Sequence, residues 1–190
     1  DLSNTDDVEI NWAVIASPND SSRIVDVPGT LVGSTGDNFG RSLAFSADGN
    51  IVAVGAMVGG YVDIYQRKYS INGIVPNEDN TWIKTGTISS PTTADSWFGD
   101  SVSLNHAGTV LAVGAYGDDD GTTYDTGSVR IYRYNGSSWN LDTTIYGENQ
   151  SDILGNIRGV SLSADGEILA VTAQGSDANG TNSGAAYIYR

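Results

Sequence analysis

The residues best suited to chemistry lie in two acidic loops. One is Gly117-Asp118-Asp119-Asp120-Gly121 with Asp125 close behind, and the other is Gly175-Ser176-Asp177-Ala178-Asn179-Gly180. Adjacent carboxylates offer oxygens to a hard cation such as Ca²⁺, with backbone carbonyls and water completing the shell. The expected metal ligands are therefore Asp118, Asp119, Asp120, Asp125 and Asp177. Their spacing is not the alternate-position pattern of an EF-hand loop. A bound ion would order the loop rather than carry out a reaction. The competing reading is a solvated acidic turn.

A second chemistry is stacking. Trp97 precedes Phe98, and the corresponding positions further along the chain hold Asn38 and Ile153, so its aromatic ring is not a repeated packing element. With Tyr116 and Tyr124 of the first acidic loop, it forms the expected ligand-binding set for a glycan or protein surface. Trp82 and Trp139 occupy equivalent positions and read as packing. His106 lies in a turn, and no G-x-S-x-G nucleophile motif accompanies it. Glycoside chemistry needs two carboxylates flanking the scissile bond, and no spacing here reveals such a pair. Asn19, Asn135, Asn149 and Asn179 each begin N-x-S/T in predicted loops and are the candidate glycosylation acceptors.

The elements that must position these groups follow from composition and repetition. The 190 residues carry 9 Lys+Arg against 23 Asp+Glu, a net charge of −14, which leaves no basic stripe to track a nucleic-acid backbone. With no cysteine and one histidine, thiolate and multi-histidine metal sites are excluded. No apolar run reaches the length of a membrane helix. Three segments superpose: FGRSLAFSADGNIVAVGAMVGGYVDIY at 39–65, FGDSVSLNHAGTVLAVGAYGDDDGTTYDTGSVRIY at 98–132, and IRGVSLSADGEILAVTAQGSDANGTNSGAAYIY at 157–189. Their turn glycines Gly49, Gly108 and Gly166 stand 59 and 58 residues apart.

Each copy predicts a short strand, a turn, a nearly continuous apolar strand such as Val110-Leu111-Ala112-Val113, a variable loop and a third strand ending in Tyr65, Tyr132 or Tyr189. A fourth, outer strand begins at Trp82 and at Trp139. Four strands per unit at this period predict an all-β fold, a β-propeller of four-stranded antiparallel blades with about three blades present. Residues 1–20 match no repeat and read as a leader or incomplete strand. The propeller region is expected over 21–190, with an outer strand at 21–34, repeat one at 37–91, repeat two at 95–148 and repeat three at 151–190. Three blades are too few for a ring, so the expectation is part of a larger propeller, or one completed by further blades or partner chains.

Phe39-Gly40 and Phe98-Gly99, with Val54-Gly55-Ala56 and Val113-Gly114-Ala115, resemble the FG-GAP repeats of integrin-α-like propellers. Met57 and Tyr116 stand where that family usually has Pro. The third copy departs further, with a displaced Leu154-Gly155 and Val171-Thr172-Ala173. The resemblance covers about residues 37–190. It implies a propeller with roles in adhesion, ligand binding or assembly, extracellular, at the cell surface or in another exported compartment. The family's calcium loop does not carry over, because Ser46-Ala47-Asp48-Gly49-Asn50 offers one carboxylate where Ca²⁺ wants about six to eight oxygens. The expected function is a non-catalytic extracellular or exported module that engages a protein or glycan through its variable loops. The alternatives are a carbohydrate-active propeller hydrolase or lyase and a structural subunit of a large assembly.

Overall fold

The computed structural model describes residues 30–67, 82–91 and 96–190. They form three antiparallel sheets. The first runs β1 (Phe39–Phe45), β2 (Ile51–Ala56), β3 (Tyr61–Arg67) and β4 (Trp82–Ser89). The second runs β5 (Phe98–Leu104), β6 (Val110–Ala115), β7 (Ser128–Tyr134) and β8 (Trp139–Tyr146). The third holds β9 (Val160–Leu162), β10 (Leu169–Ala173) and β11 (Ala185–Tyr189). Every strand pairs with its sequence neighbour, so each sheet is a meander, and the three sheets do not close into a ring. These are propeller blades. The leader 1–20, the sequon Asn19 and residues 21–29 lie outside the described residues. Residues 30–34, the described end of the expected outer strand, form no strand. Leu31 instead packs down on the cluster of Val52, Val54 and Tyr65.

Each blade has a large face and a small face. On β1 and β2, Leu43 pairs with Val54 and Phe45 with Val52, whereas Ala44 pairs with Ala53 and Ser42 with Gly55. Pairs directly opposite share a sheet face, so one face is bulky and the other nearly flat. The pattern recurs in blade two, with Val102–Val113 and Leu104–Leu111 against Ser103–Ala112 and Ser101–Gly114. The bulky face of blade two packs on the small face of blade one, in a cluster joining Ala53, Val62 and Ile64 to Phe98, Leu104, Leu111 and Val113. The same arrangement joins blade three to blade two through Val110, Ala112, Val129, Val160, Leu169 and Val171. Large-into-small packing gives the fan a direction.

The FG and GA elements form the joint itself. A Cβ added at Gly55 would stand 2.1 Å from the Gly99 carbonyl oxygen, and one added at Gly114 would stand 2.2 Å from that of Gly155. The Ser42 hydroxyl donates to the Gly99 carbonyl at 2.7 Å, and the Ser101 hydroxyl to the Gly155 carbonyl at 2.7 Å. Each FG glycine therefore rests its backbone on the GA glycine of the preceding blade, clamped by a serine. Turn-to-turn bonds reinforce the stack, from the Ala47 amide to the His106 carbonyl and from the His106 amide to the Ala164 carbonyl. His106 is an exposed turn residue.

Leu154-Gly155 is the FG element of blade three, because Leu154 bridges Ala173 as Phe98 pairs Ala115. Trp82 and Trp139 pack against the blade cores, as their equivalence predicts, and touch Phe45 and Tyr134 at ring-centroid distances of 5.8 and 5.4 Å.

Candidate functional site

The loop from Tyr116 to Gly127 and the residues ahead of β5 meet at one end of blade two. The Gly117 amide donates to the Ser96 carbonyl at 3.3 Å, which brings Tyr116 beside Trp97. The two rings are nearly parallel, 11° between planes and 6.1 Å between centroids, and both side chains are half-buried. Trp97 takes φ = +54°, a left-handed conformation that strains bulky side chains. Asn38 and Ile153 at the same place take +52° and +49°, so the backbone turn belongs to the repeat. The stacked aromatic pair belongs to blade two alone, since Met57 and Gln174 stand where Tyr116 does.

Beside the stack lies an ion pair that spans two blades. The Arg41 Nε donates to Asp100 Oδ1 at 2.7 Å; Asp100 is fully buried and Arg41 is about one-third exposed. Asp100 Oδ2 is buried without a hydrogen-bond partner among the described residues. The Asp100 amide donates to the Trp97 carbonyl at 3.2 Å. Burial and then the Asp100 charge push the Tyr116 hydroxyl above its ordinary value, with Arg41 opposing. Tyr116 is thus a neutral donor at physiological pH. Arg41 and Asp100 also line a cleft of about 410 Å³ between the first strands of the blades, together with Leu43, Val102, Ile157 and Arg158.

The acidic loop folds on itself. Asp118 is buried and ion-paired with Arg130, and it accepts the Ser128 hydroxyl at 2.7 Å. Arg130 also lies over the Phe98 ring, 5.9 Å from its centroid. Asp119 and Asp120 are exposed; Asp119 accepts the Asp125 amide, and Asp120 accepts the Thr122 and Thr123 amides. Hydrogen bonding to Thr122 holds the Asp120 carboxyl below its ordinary value. Asp177, in the next long loop, accepts the Asn182 amide at 2.6 Å. Among the described residues no three carboxylates or imidazoles gather as a metal-ligand set. Asp118, Asp119, Asp120, Asp125 and Asp177 are not brought together.

Tyr124 is 72% exposed, and among the described residues no ring contact joins it to the Trp97–Tyr116 pair. Asn135, Asn149 and Asn179 are exposed, as sequon residues must be. Sequence reasoning missed Arg41, Asp100 and Arg158. The signal for the first two was available, since they occupy the same step after FG in successive repeats. It also missed a second cleft of about 430 Å³ along the bulky face of blade one, lined by Asp37, Tyr61, Asp63, Lys84 and Thr87. There Asp63 is buried and accepts Thr87 Oγ1 at 2.5 Å and Lys84 Nζ at 3.3 Å. Burial and the hydrogen bond to Asp37 push Tyr61 up to about 12.

This architecture, repeated antiparallel blades joined glycine on glycine with loops that differ between copies, is that of a propeller built from sequence repeats. A sequence profile of the FG-GAP repeat family matches residues 88–132 and 158–189, so the chain carries FG-GAP repeats over those stretches. A comparison with curated proteins gives no match. Among solved structures, the chain is similar to a Bacteroides fragilis protein provisionally assigned as a 6-phosphogluconolactonase, at 16% identity over 77% of this chain and 35% of that one, with a TM-score of 0.54. A Bacteroides uniformis protein with the same provisional assignment gives 16% identity, 71% and 33% coverage and a TM-score of 0.48. The Cps50 β-propeller domain from Myceliophteria thermophila gives 13% identity, 68% and 33% coverage and a TM-score of 0.45. The chain spans about a third of the length of each. The first of these likenesses shows a shared fold and nothing about activity.

Proposed function

We propose that this chain is a non-catalytic binding module of an extracellular or exported protein, and that it engages a glycan across the Trp97–Tyr116 stack. The observation that supports this reading is the stack itself. The left-handed turn belongs to the repeat, since Asn38 and Ile153 hold it too; what blade two alone adds there is an aromatic face stacked on a second ring. An aromatic face binds the apolar face of a sugar ring, while Arg41, a third exposed, and the protonated Tyr116 hydroxyl supply donors for sugar hydroxyls. Tyr124 serves as a rim contact, and Asn135, Asn149 and Asn179 serve as exposed glycosylation acceptors on an exported chain.

The carboxylates of the acidic loop do not enter this reading as a Ca²⁺ site. Asp118 is committed to Arg130, and Asp119 and Asp120 to amides of their own loop. The non-catalytic reading is supported by the inner cleft, where the carboxylate that lines it, Asp100, is already tied to Arg41. The lactonase assignment of the Bacteroides proteins is not transferred, because the likeness at 16% identity is one of fold.

The test is a glycan array probed with the wild-type chain and with Trp97→Asn, which places the residue of blade one in blade two. Trp97→Asn relieves the strained backbone but gives up a stack worth about 0.5–1.5 kcal/mol, so its thermal midpoint should stay near that of wild type. Its glycan signal should fall at least tenfold. Equal signals from both proteins would refute the platform.

A further inference from the structure

Two exposed turns of blade two fold the same way around a side-chain oxygen. At the tip of the β7–β8 hairpin, Asn135 Oδ1 accepts the Ser137 and Ser138 amides at 3.0 and 2.9 Å and the Ser137 hydroxyl at 2.9 Å. In the acidic loop, Asp120 Oδ1 accepts the Thr122 and Thr123 amides, both at 2.7 Å, and the Thr122 hydroxyl at 2.8 Å. A glycine follows the acceptor in each turn, Gly136 at φ = +97° and Gly121 at φ = +93°. Asn135, Gly136, Asp120 and Gly121 are all exposed. The two N–H donors on Asn135 fix which of its terminal atoms is the oxygen.

A glycine after asparagine opens one reaction, because no Cβ hinders its nitrogen from reaching the side chain before it. The Gly136 nitrogen gives its proton to hydroxide and bonds to Asn135 Cγ, while the carbonyl electron pair moves onto Oδ1. Collapse of that oxyanion breaks the bond to Nδ2, which takes a proton from water and leaves as ammonia. A cyclic imide remains, and water opens it at either carbonyl to give aspartate or isoaspartate. The only co-reactant is water.

The hairpin suits each step. Oδ1, where the charge develops, already holds the Ser137 and Ser138 donors, the arrangement that stabilises a tetrahedral oxyanion. Among the described residues neither the Gly136 amide nor Asn135 Nδ2 has a hydrogen-bond partner, so nucleophile and leaving group are both uncommitted. Asn179-Gly180 has the same two residues without the arrangement. There the Gly180 amide donates to the Asp177 carbonyl at 3.1 Å, and among the described residues no donor reaches Asn179 Oδ1. The third such pair, Asn72-Gly73, lies outside the described residues. Asp120 has the turn without the amide. Its bonds to Thr122 hold the carboxyl below its ordinary value, and an ionised carboxylate resists attack by a nucleophile.

We propose that Asn135 is a self-modification site, at which the hairpin's own amides promote attack by the Gly136 nitrogen and convert the residue to aspartate and isoaspartate. The nitrogen that leaves is the one a glycan would occupy, so deamidation and glycosylation exclude each other at this residue. Glycan binding at the aromatic stack plays no part in the inference.

The test follows the folded wild-type chain over time in mildly alkaline buffer. Tandem mass spectrometry reads each asparagine separately, and methyltransferase labelling detects isoaspartate. Freeing a bonded amide and lacking oxyanion donors both slow the reaction, so Asn135 should convert about tenfold or more faster than Asn179. In urea, where both turns are lost, the two rates should converge. Equal rates in the folded chain, or a ratio that survives in urea, would overturn the proposal. A second arm uses Asp120→Asn, which supplies the amide to the other turn. Position 120 should then convert at a rate close to that of Asn135; a folded variant in which it converts no faster than Asn179 would overturn the role of the turn.

Discussion

Gly114→Ala isolates the steric claim on which the blade joint rests. Gly114 lies in a regular strand without positive φ, so alanine meets no backbone strain there. Its new Cβ would instead stand 2.2 Å from the Gly155 carbonyl oxygen and 2.2 Å from Ser101 Oγ. Both oxygens must retreat by about 1 Å to reach the usual contact, and that movement disrupts the 2.7 Å bond between them. Overpacking a tight contact costs about 1–3 kcal/mol, and the lost hydrogen bond adds about 1 kcal/mol. Removing a glycine from the unfolded chain returns about 0.4–1 kcal/mol. The net is a loss of about 1–3.5 kcal/mol, which for a chain of this size lowers the midpoint by roughly 2–14 °C.

The assay is thermal and urea unfolding followed by circular dichroism, with Gly136→Ala alongside. Gly136 sits at φ = +97° with open space around it, so its cost is backbone strain alone, about 1 kcal/mol. Gly114→Ala within about 0.5 kcal/mol of wild type, the scatter of ordinary surface substitutions, would refute the glycine-on-glycine joint. Coupling is expected too, since Ser101→Gly removes one of the two atoms that the new methyl strikes.

Two further predictions follow from the charged groups. Asp118→Asn leaves Arg130 buried without a counter-charge and should cost about 3–5 kcal/mol, whereas Asp119→Asn, at an exposed site, should change little; equal stabilities in denaturant would show that the pair is not needed. Hydrogen bonds from Ser46 and Ser163 hold the Asp48 and Asp165 carboxyls below their ordinary 3.8. A depressed folded value contributes stability above the unfolded value and loses it as pH falls through the folded one. Asp48→Asn with Asp165→Asn should therefore lower the midpoint at pH 7, with the gap to wild type closing below about pH 4. A gap that persisted at pH 2 would exclude charge as its source.

The repeat made most of the fold legible. The apolar runs at Ile51 and Val110 are β2 and β6, and the tryptophans Trp82 and Trp139 open β4 and β8. Strands β1 and β5 begin at Phe39 and Phe98, and a bulge separates Phe39 from Ser42 and Phe98 from Ser101. A bulge breaks the period of two that a strand reading depends on. The displaced Leu154-Gly155 was legible as a weak FG element, and its bridge to Ala173 shows that the extra residues lie after it.

The site was less legible than the fold. Trp97 stood out because a repeat exposes its own exceptions, and Tyr116 follows from the loop it opens. The commitment of Asp118 to Arg130 was hidden, since a run of three aspartates does not say which one turns inward beneath a strand. The link from Arg41 to Asp100 spans 59 residues and becomes visible when the repeats are stacked rather than aligned.

The most direct measurement of the central claim is the indole N–H spectrum of the ¹⁵N-labelled chain, which has four tryptophans, titrated with the glycan that ranks first on the array. The Trp97 resonance, assigned through Trp97→Asn, is expected to move in saturable fashion, while those of Trp82 and Trp139, half-buried against the blade cores, keep their shifts. Saturable binding that leaves Trp97 in place and moves another indole would contradict it.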